Sequence, residues 1–422
     1  MKERSQRMTG ILQTIGPGII MAGAAIGVSH LVQSTRAGAD YGFLLLWAVI
    51  LALVFKYPFL EYGPRYAAAT GDSLLKGYLK LGAWAMVIFL FFTLGTMFTI
   101  TAAVTVVTAG LTAQMTGIAL NPILWSAVIL VICAVLLASG QYPVLDKLMK
   151  VMMTVLAIST VIAVIAAVAH GDNATPEFVR PVVWNTTGIA FLLALMGWMP
   201  IPIDVSVWHS LWSQERRKET GHAPSIEEAT FDFNLGYAGA GLMAVGFLVM
   251  GALVMYGTGE TFANSGAAFA GQLVQLYTES LGQWSRPIIL AAAFTTMFST
   301  TLTVVDAFPR VLRRTAELVL PNQVQTRDSR GLYIVFLILV AGISLIILKL
   351  LGKSFTTLVD LATILSFLTA PVLGFINFRV VTSPDMPAHA RPGKGLRVLS
   401  WLGLIFLTGF TLLFLYWHFF VA

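Results

Sequence analysis

Apolar residues in this chain come in long runs that are apolar on every side, with the charges gathered in the links between them. A helix that is hydrophobic all round is a buried or membrane helix rather than a surface one. Eleven such runs of about 20 residues, the length that about 30 Å of hydrocarbon demands, lie near 15–36, 43–63, 83–110, 119–139, 151–169, 188–211, 233–257, 287–309, 332–350, 355–378 and 398–420. The pattern predicts an all-α polytopic membrane protein with eleven transmembrane helices.

The sixth run, GIAFLLALMGWMPIPIDVSVWHSLW, has a hole in its middle. Pro200 and Pro202 each lack an amide donor and fix φ, so no single α-helix passes Met199-Pro200-Ile201-Pro202 intact. Irregular backbone at membrane depth survives only inside protein or beside a wet cavity. Asp204 stands just past the break, where a carboxylate needs a partner, a proton or a cation. The first run is interrupted differently, by Gly16, Gly18, Gly23 and Gly27, with His30 following in a possible second half-helix. A third echo joins the third and eighth runs, since Thr96-Met97-Phe98 recurs as Thr296-Met297-Phe298 and both continue through threonines to Val-Val. Runs one to five and six to ten therefore read as inverted halves with breaks in matching places.

Composition agrees with the pattern. The 422 residues are 57% hydrophobic and 11% charged, and the mean hydropathy is +0.82. No linker or extra soluble segment interrupts the runs, so one membrane transport domain over 1–422 is expected, with repeats at about 15–169 and 188–378 and an added helix at 398–420. The formal net charge of +6 reflects orientation rather than a nucleic-acid partner. Placing the N-terminus in the cytosol puts Lys2, Arg4, Arg7, Arg216, Arg217, Lys218, Arg310, Arg313 and Arg314 inside, and leaves few basic residues, such as Arg36, Arg180 and Arg286, outside. The C-terminus is then outside, and the expected location is a bacterial inner membrane. Cys133 is the one cysteine, so no intramolecular disulfide forms. With no HExxH, GxSxG, CxxC or phosphate-loop motif, the chain reads as a non-enzyme without a cofactor.

Several polar residues have ordinary structural readings. Lys56 and Glu61 are expected to pair with each other or with other helices near the cytosolic end, and Asp306 with Arg310 one turn on. The link QYPVLDKLMK reads as an interfacial elbow, and Ser225 with Glu228 as a capping box for a short helix. His222 and Asp360 read as solvated. A piece near Ala267 to Tyr277 is amphipathic enough to lie on the surface as a lid. Thr363, Ser366 and Thr369 share one helix face that lines a cavity in this reading, before Pro371 bends the helix.

The order of these pieces resembles the NRAMP family of proton-coupled divalent-metal transporters, which have the LeuT-type inverted-repeat fold with broken helices one and six. Gly16-Pro17, then Ala37-Gly38-Ala39-Asp40-Tyr41-Gly42-Phe43 and Trp47, resemble the family's GP…AGAQFGY…W. His209-Ser210 matches the end of MPHxxYLHS, and Asp146-Lys147-Leu148 resembles EKL. The substrate residues depart from the family. Its DPGN falls on Gly27-Val28-Ser29-His30, so the metal-binding Asp is glycine and the Asn ligand is His30. Counting back from His209 puts the metal-binding Met at Pro202 and the next His at Asp204. Ile100 and Ala103 stand where an acidic relay is expected, and only His209 keeps a proton-linked position.

Two readings follow. In the first, carbonyls freed near Gly27 and Met199, with His30, Asp204, Thr363 and the Met199 sulfur, bind a divalent metal, and the nitrogen and sulfur donors favour manganese or iron over magnesium or calcium. In the second, the cavity takes a small polar solute coupled to Na⁺ or H⁺, with Ser299, Thr300 and Thr303 opposite the freed carbonyls of the first run as an oxygen cage. His209 is a relay candidate in either reading. Small ion or solute and lipid bilayer are the expected partners.

Overall fold

The computed structural model describes residues 10–118, 120–170, 181–258, 268–269, 271–272, 274–275, 278, 282–321, 329–351 and 355–421. All regular elements among them are helical. Ten described helical segments are long and apolar enough to cross a membrane, and the short apolar helix Thr186–Gly197 adds the first half of the sixth span. The eleven expected spans are thus present. The lid expected near Ala267 to Tyr277 lies mostly outside the described residues.

Helix ends follow local chemistry. Asn185 accepts the Gly188 amide at 2.7 Å and starts Thr186–Gly197. Ser225 and Glu228 form the expected capping box, although the helix it opens is the whole seventh span, Ile226–Val254, rather than a short separate one. Gly71 and Gly221, at φ 71° and 70°, close Leu46–Thr70 and Val205–Thr220 in the left-handed conformation that glycine tolerates best. The expected elbow is instead helical. Pro122–His170 runs through Pro143, and Asp146 within it pairs with Lys150 at 2.6 Å and with Arg216 at 3.3 Å. Those local and tertiary ion pairs hold one oxygen of the Asp146 carboxylate within the continuous helix.

The spans pack in two groups. The first span lies against the seventh, and the second against the second half of the sixth and against the seventh. The third span packs on the eighth and ninth, and the eighth also on Pro122–His170. Hydroxyls mark the contact between the two repeats' echoing helices, where Thr108 and Thr301 share a 2.8 Å hydrogen bond and Thr108 Oγ1 also donates to Met297 O at 3.0 Å. The tenth span lies against both the third and the first half of the sixth. Spans one and six therefore run between the groups, where their breaks face protein rather than lipid.

Candidate functional site

The first span is an α-helix over Pro17–Ala25, then Ile26 and Gly27, then a π-helical segment Val28–Ser34, then α-helix again over Thr35–Tyr41. Such π segments recur where a helix is interrupted for function. Hydroxyl groups take up the carbonyls at the break. Ser29 Oγ donates to Ala25 O, and Thr300 Oγ1 of the eighth span reaches Gly23 O at 2.8 Å, with Ser299 Oγ at 3.5 Å. A Cβ at Gly27 would run into the Thr300 side chain, so only glycine allows this approach. The predicted position of the break is correct, and its chemistry is neutral.

The sixth span breaks over residues 198–204, between Thr186–Gly197 and Val205–Thr220. Its Met199–Pro200 peptide is cis. Lys56, from the second span, reaches into this break. Its ammonium donates to Met196 O and Gly197 O at 2.7 Å each and to Ile201 O at 3.3 Å, with the side chain fully buried. Of the two expected arrangements, pairing of Lys56 with Glu61 is not found, and Lys56 meets another helix instead. Glu61 pairs instead with Arg65 at 2.7 Å, because i,i+4 places the two on one face of a single helix and five residues do not. Asp204, 7% exposed, holds the N-cap position of the second half-helix without a side-chain cap bond, and it interacts with Lys56 through charge.

Both breaks open onto one cavity of about 30 Å³, lined by Ala24, Val28 and Ser29 of the first span, Ile201, Pro202 and Val205 of the sixth, and Thr300 of the eighth, among others. That space suits one water or one small ion. Of the sequence-predicted site residues only Thr300 lines it, though Gly27 adjoins it. Ser299 faces Gly23, and Thr303 bonds within its own helix to Ser299 O and Thr300 O. His30 turns to the seventh span, with Nε2 2.8 Å from Ala240 O and Nδ1 2.7 Å from Ser29 Oγ, so both ring nitrogens are engaged by protein. Met199 is buried within the break. Thr363 sits where the sixth and tenth spans touch, accepting Gln33 Nε2 at 3.4 Å. The neighbouring Ser366 accepts Trp198 Nε1 at 2.8 Å, so the hydroxyl face of the tenth span is packed on the break and does not line this cavity. Among the described residues no group of three or more His, Cys, Asp and Glu is placed to hold a metal.

His209 is buried one turn into the second half-helix, and neither ring nitrogen has a hydrogen-bond partner. Its Nε2 lies 3.8 Å from Asp232 Oδ2. Asp232 is not among the residues singled out from the sequence, yet its carboxylate accepts the Gly16 amide at 3.0 Å and the Gly18 amide at 2.7 Å, holding the start of the first span. The spacing from the capping box at Ser225 was the available signal, since a helix beginning there carries Asp232 inward. Asp360 is likewise not simply solvated. Arg36 donates to it at 2.8 Å and Gln33 at 3.0 Å, tying the first span to the tenth. His222 pairs with Glu228 at 3.0 Å rather than standing free. Asp306 pairs with Arg310 as expected, at 2.6 Å, and also accepts Trp212 and Tyr333.

Two interrupted helices meeting at a small cavity, between two packed groups of apolar spans, are the arrangement of an integral membrane transporter. Residues 18–417 match the family described as natural resistance-associated macrophage protein-like, Nramp, and the chain belongs to that family. It is 36% identical over 407 residues to the uncharacterized protein PM0681 of Pasteurella multocida strain Pm70, covering 95% of this chain and 91% of that one. Among solved structures, the manganese transporter of Eremococcus coleocola, in complex with an aromatic bis-isothiourea substituted compound, matches with a TM-score of 0.71 at 14% identity, over 97% of this chain and 87% of that one. MhsT in complex with L-phenylalanine matches with a TM-score of 0.62 at 13% identity, over 94% and 97% of the two chains. These structural likenesses establish the shared fold.

Proposed function

We propose that this chain carries a divalent metal cation of the manganese or iron type by alternating access, as one transport unit in a bacterial inner membrane with its N-terminus in the cytosol. The observation that carries the reading is that the breaks of the first and sixth spans open onto the same cavity. Family membership and the likeness to a manganese transporter favour a metal over an organic solute. Asp204 is the carboxylate of the break, and Met199, buried in the same break, carries the soft sulfur donor that would tip preference toward transition metals. Gly27 lets Thr300 of the eighth span close on the first span at the edge of the cavity. His30, engaged through both nitrogens, serves as a positioning residue that ties that span to the seventh.

Access is closed on either side by different groups. On the proposed outer side, Arg36, Gln33 and Asp360 join spans one and ten. On the inner side, Arg310 and Arg313 meet Glu215, at 3.4 Å and 3.6 Å, and Arg314 meets Asp72 at 2.8 Å. Opening one set while the other holds would expose the ion to one face at a time. His209 beside Asp232 is the proton-linked candidate on the inward path, Ser299 and Thr300 hold the eighth span against the first, and Thr303 stays bonded within its own helix.

Uptake of Mn²⁺ into proteoliposomes tests the reading. We expect saturable Mn²⁺ entry, competed by Fe²⁺ and little by Ca²⁺, and a loss of at least about tenfold in Asp204→Asn. Absence of any divalent-metal flux, together with Na⁺-dependent uptake of an organic solute, would reject it.

A further inference from the structure

The break in the sixth span is already occupied by the Lys56 side chain. The helix Thr186–Gly197 ends at carbonyls that no longer have i+4 amide partners, Met196 O accepting a long 3.3 Å bond from Met199 N, and its dipole places partial negative charge there. Met196 O and Gly197 O belong to that end, and Ile201 O comes from the irregular stretch beyond it. Freed carbonyls and half-helix C-terminal ends of this kind are what bind a monovalent coupling cation in broken-helix transporters. Here the three oxygens converge on Lys56 Nζ, whose three N–H donors match them in number. The ammonium forms no salt bridge with a carboxylate of the described residues; Glu61, the acid nearest to it in sequence, is taken by Arg65. The side chain is fully buried, so these three backbone oxygens, with the more distant charge of Asp204, take the place of water around the ammonium.

We propose that Lys56 is a tethered cation occupying a monovalent-cation site in the sixth span, so that the chain uses no free Na⁺ or K⁺ at this break. The site is a carbonyl cage for a small monovalent ion or primary ammonium, and Lys56 is its permanent ligand. Two consequences follow for the transport reading, on which the cage itself does not depend. Met196, Gly197 and Ile201 carbonyls are withdrawn from binding the cargo. The sixth span is also pinned to the second, leaving the neutral hydroxyl contacts of the first span as the more easily rearranged half of the site.

The test uses the full-length purified protein without divalent metal, following thermal unfolding in NaCl, KCl, ethylammonium chloride or N-methyl-D-glucamine chloride at equal ionic strength. Wild type should unfold at the same temperature in all four. Lys56→Ala should unfold on the order of 5 °C lower in N-methyl-D-glucamine, and Na⁺ or ethylammonium, entering the vacated cage, should restore part of the loss. Lys56→Met, which fills the space without the charge, should be destabilised and unresponsive to every cation. The proposal is overturned if wild type and Lys56→Ala respond alike to Na⁺, or if no small cation restores Lys56→Ala. Should Lys56→Ala fail to fold, a Lys56→Met protein as stable as wild type overturns it by itself. Because no step of this measurement involves Mn²⁺, its failure and the failure of metal transport are separate results.

Discussion

The two helix breaks solve the same problem with opposite chemistry. In the first span, glycine thins the helix and hydroxyls from Ser29, Ser299 and Thr300 satisfy the exposed carbonyls. In the sixth, prolines stop the helix and a buried ammonium satisfies them. Neutral hydroxyl bonds contribute about 1 kcal/mol each and are exchanged at little cost, whereas charge-assisted bonds are roughly twice as strong. On the proposed transport reading, the break held by Lys56 is expected to be the more rigid of the two and the break held by hydroxyls the more easily rearranged.

Filling the hydroxyl break should have the largest effect. Gly27→Val drives a branched side chain into Thr300, and we expect loss of Mn²⁺ uptake with destabilisation of about 2–3 kcal/mol. Thr300→Ala added to it should recover part of the stability, a coupling that a double-mutant cycle measures. Wild-type uptake by Gly27→Val alone would show that the two helices do not approach so closely when the transporter works.

The next contrast concerns what anchors each half. Asp232→Asn should weaken the hold on Gly16 and Gly18 and lower stability by about 1–2 kcal/mol. His209→Leu, which keeps the buried volume against Phe233 and has no hydrogen bond to lose, should leave unfolding nearly unchanged and slow proton-linked uptake instead. If the two variants showed the same profile, the pair would act as one structural unit and His209 would leave the mechanism. A smaller effect is expected at His30. His30→Gln keeps a donor for Ala240 O and should cost less than about 1 kcal/mol, with Mn²⁺ affinity intact. Loss of Mn²⁺ binding at unchanged stability would make the imidazole a ligand after all.

The smallest effect lies outside both breaks, at Asp72. Burial raises its carboxyl pKa, but ion pairs with Lys76 and Arg314 and the Ser73 amide outweigh that, and the net shift is downward. A lowered folded pKa means that the contribution is complete above the ordinary carboxylate value near 4 and is lost as pH falls through the folded value. Comparing wild type with Asp72→Asn, the stability difference should therefore shrink in acid, and it should stay under about 1 kcal/mol at pH 7, since Lys76 is partly exposed. A difference that grew in acid would contradict the sign of the shift.

What could be read from the residues was whatever depends on the chain's own backbone. Apolar run length set the spans, since lipid leaves helices no other way to satisfy their amides. Pro200, Pro202 and Gly27 located the breaks, because lost donors and missing side chains act where they stand. The i,i+4 pair of Asp306 with Arg310 was legible for the same reason. Partners across the bundle were not. Nothing near Lys56 in the chain announces three carbonyls some 140 residues away, and nothing near Asp232 announces Gly16 and Gly18. A buried charge must find a partner, but the sequence names only the debtor, and packing alone decides which distant backbone group or side chain comes within hydrogen-bond reach.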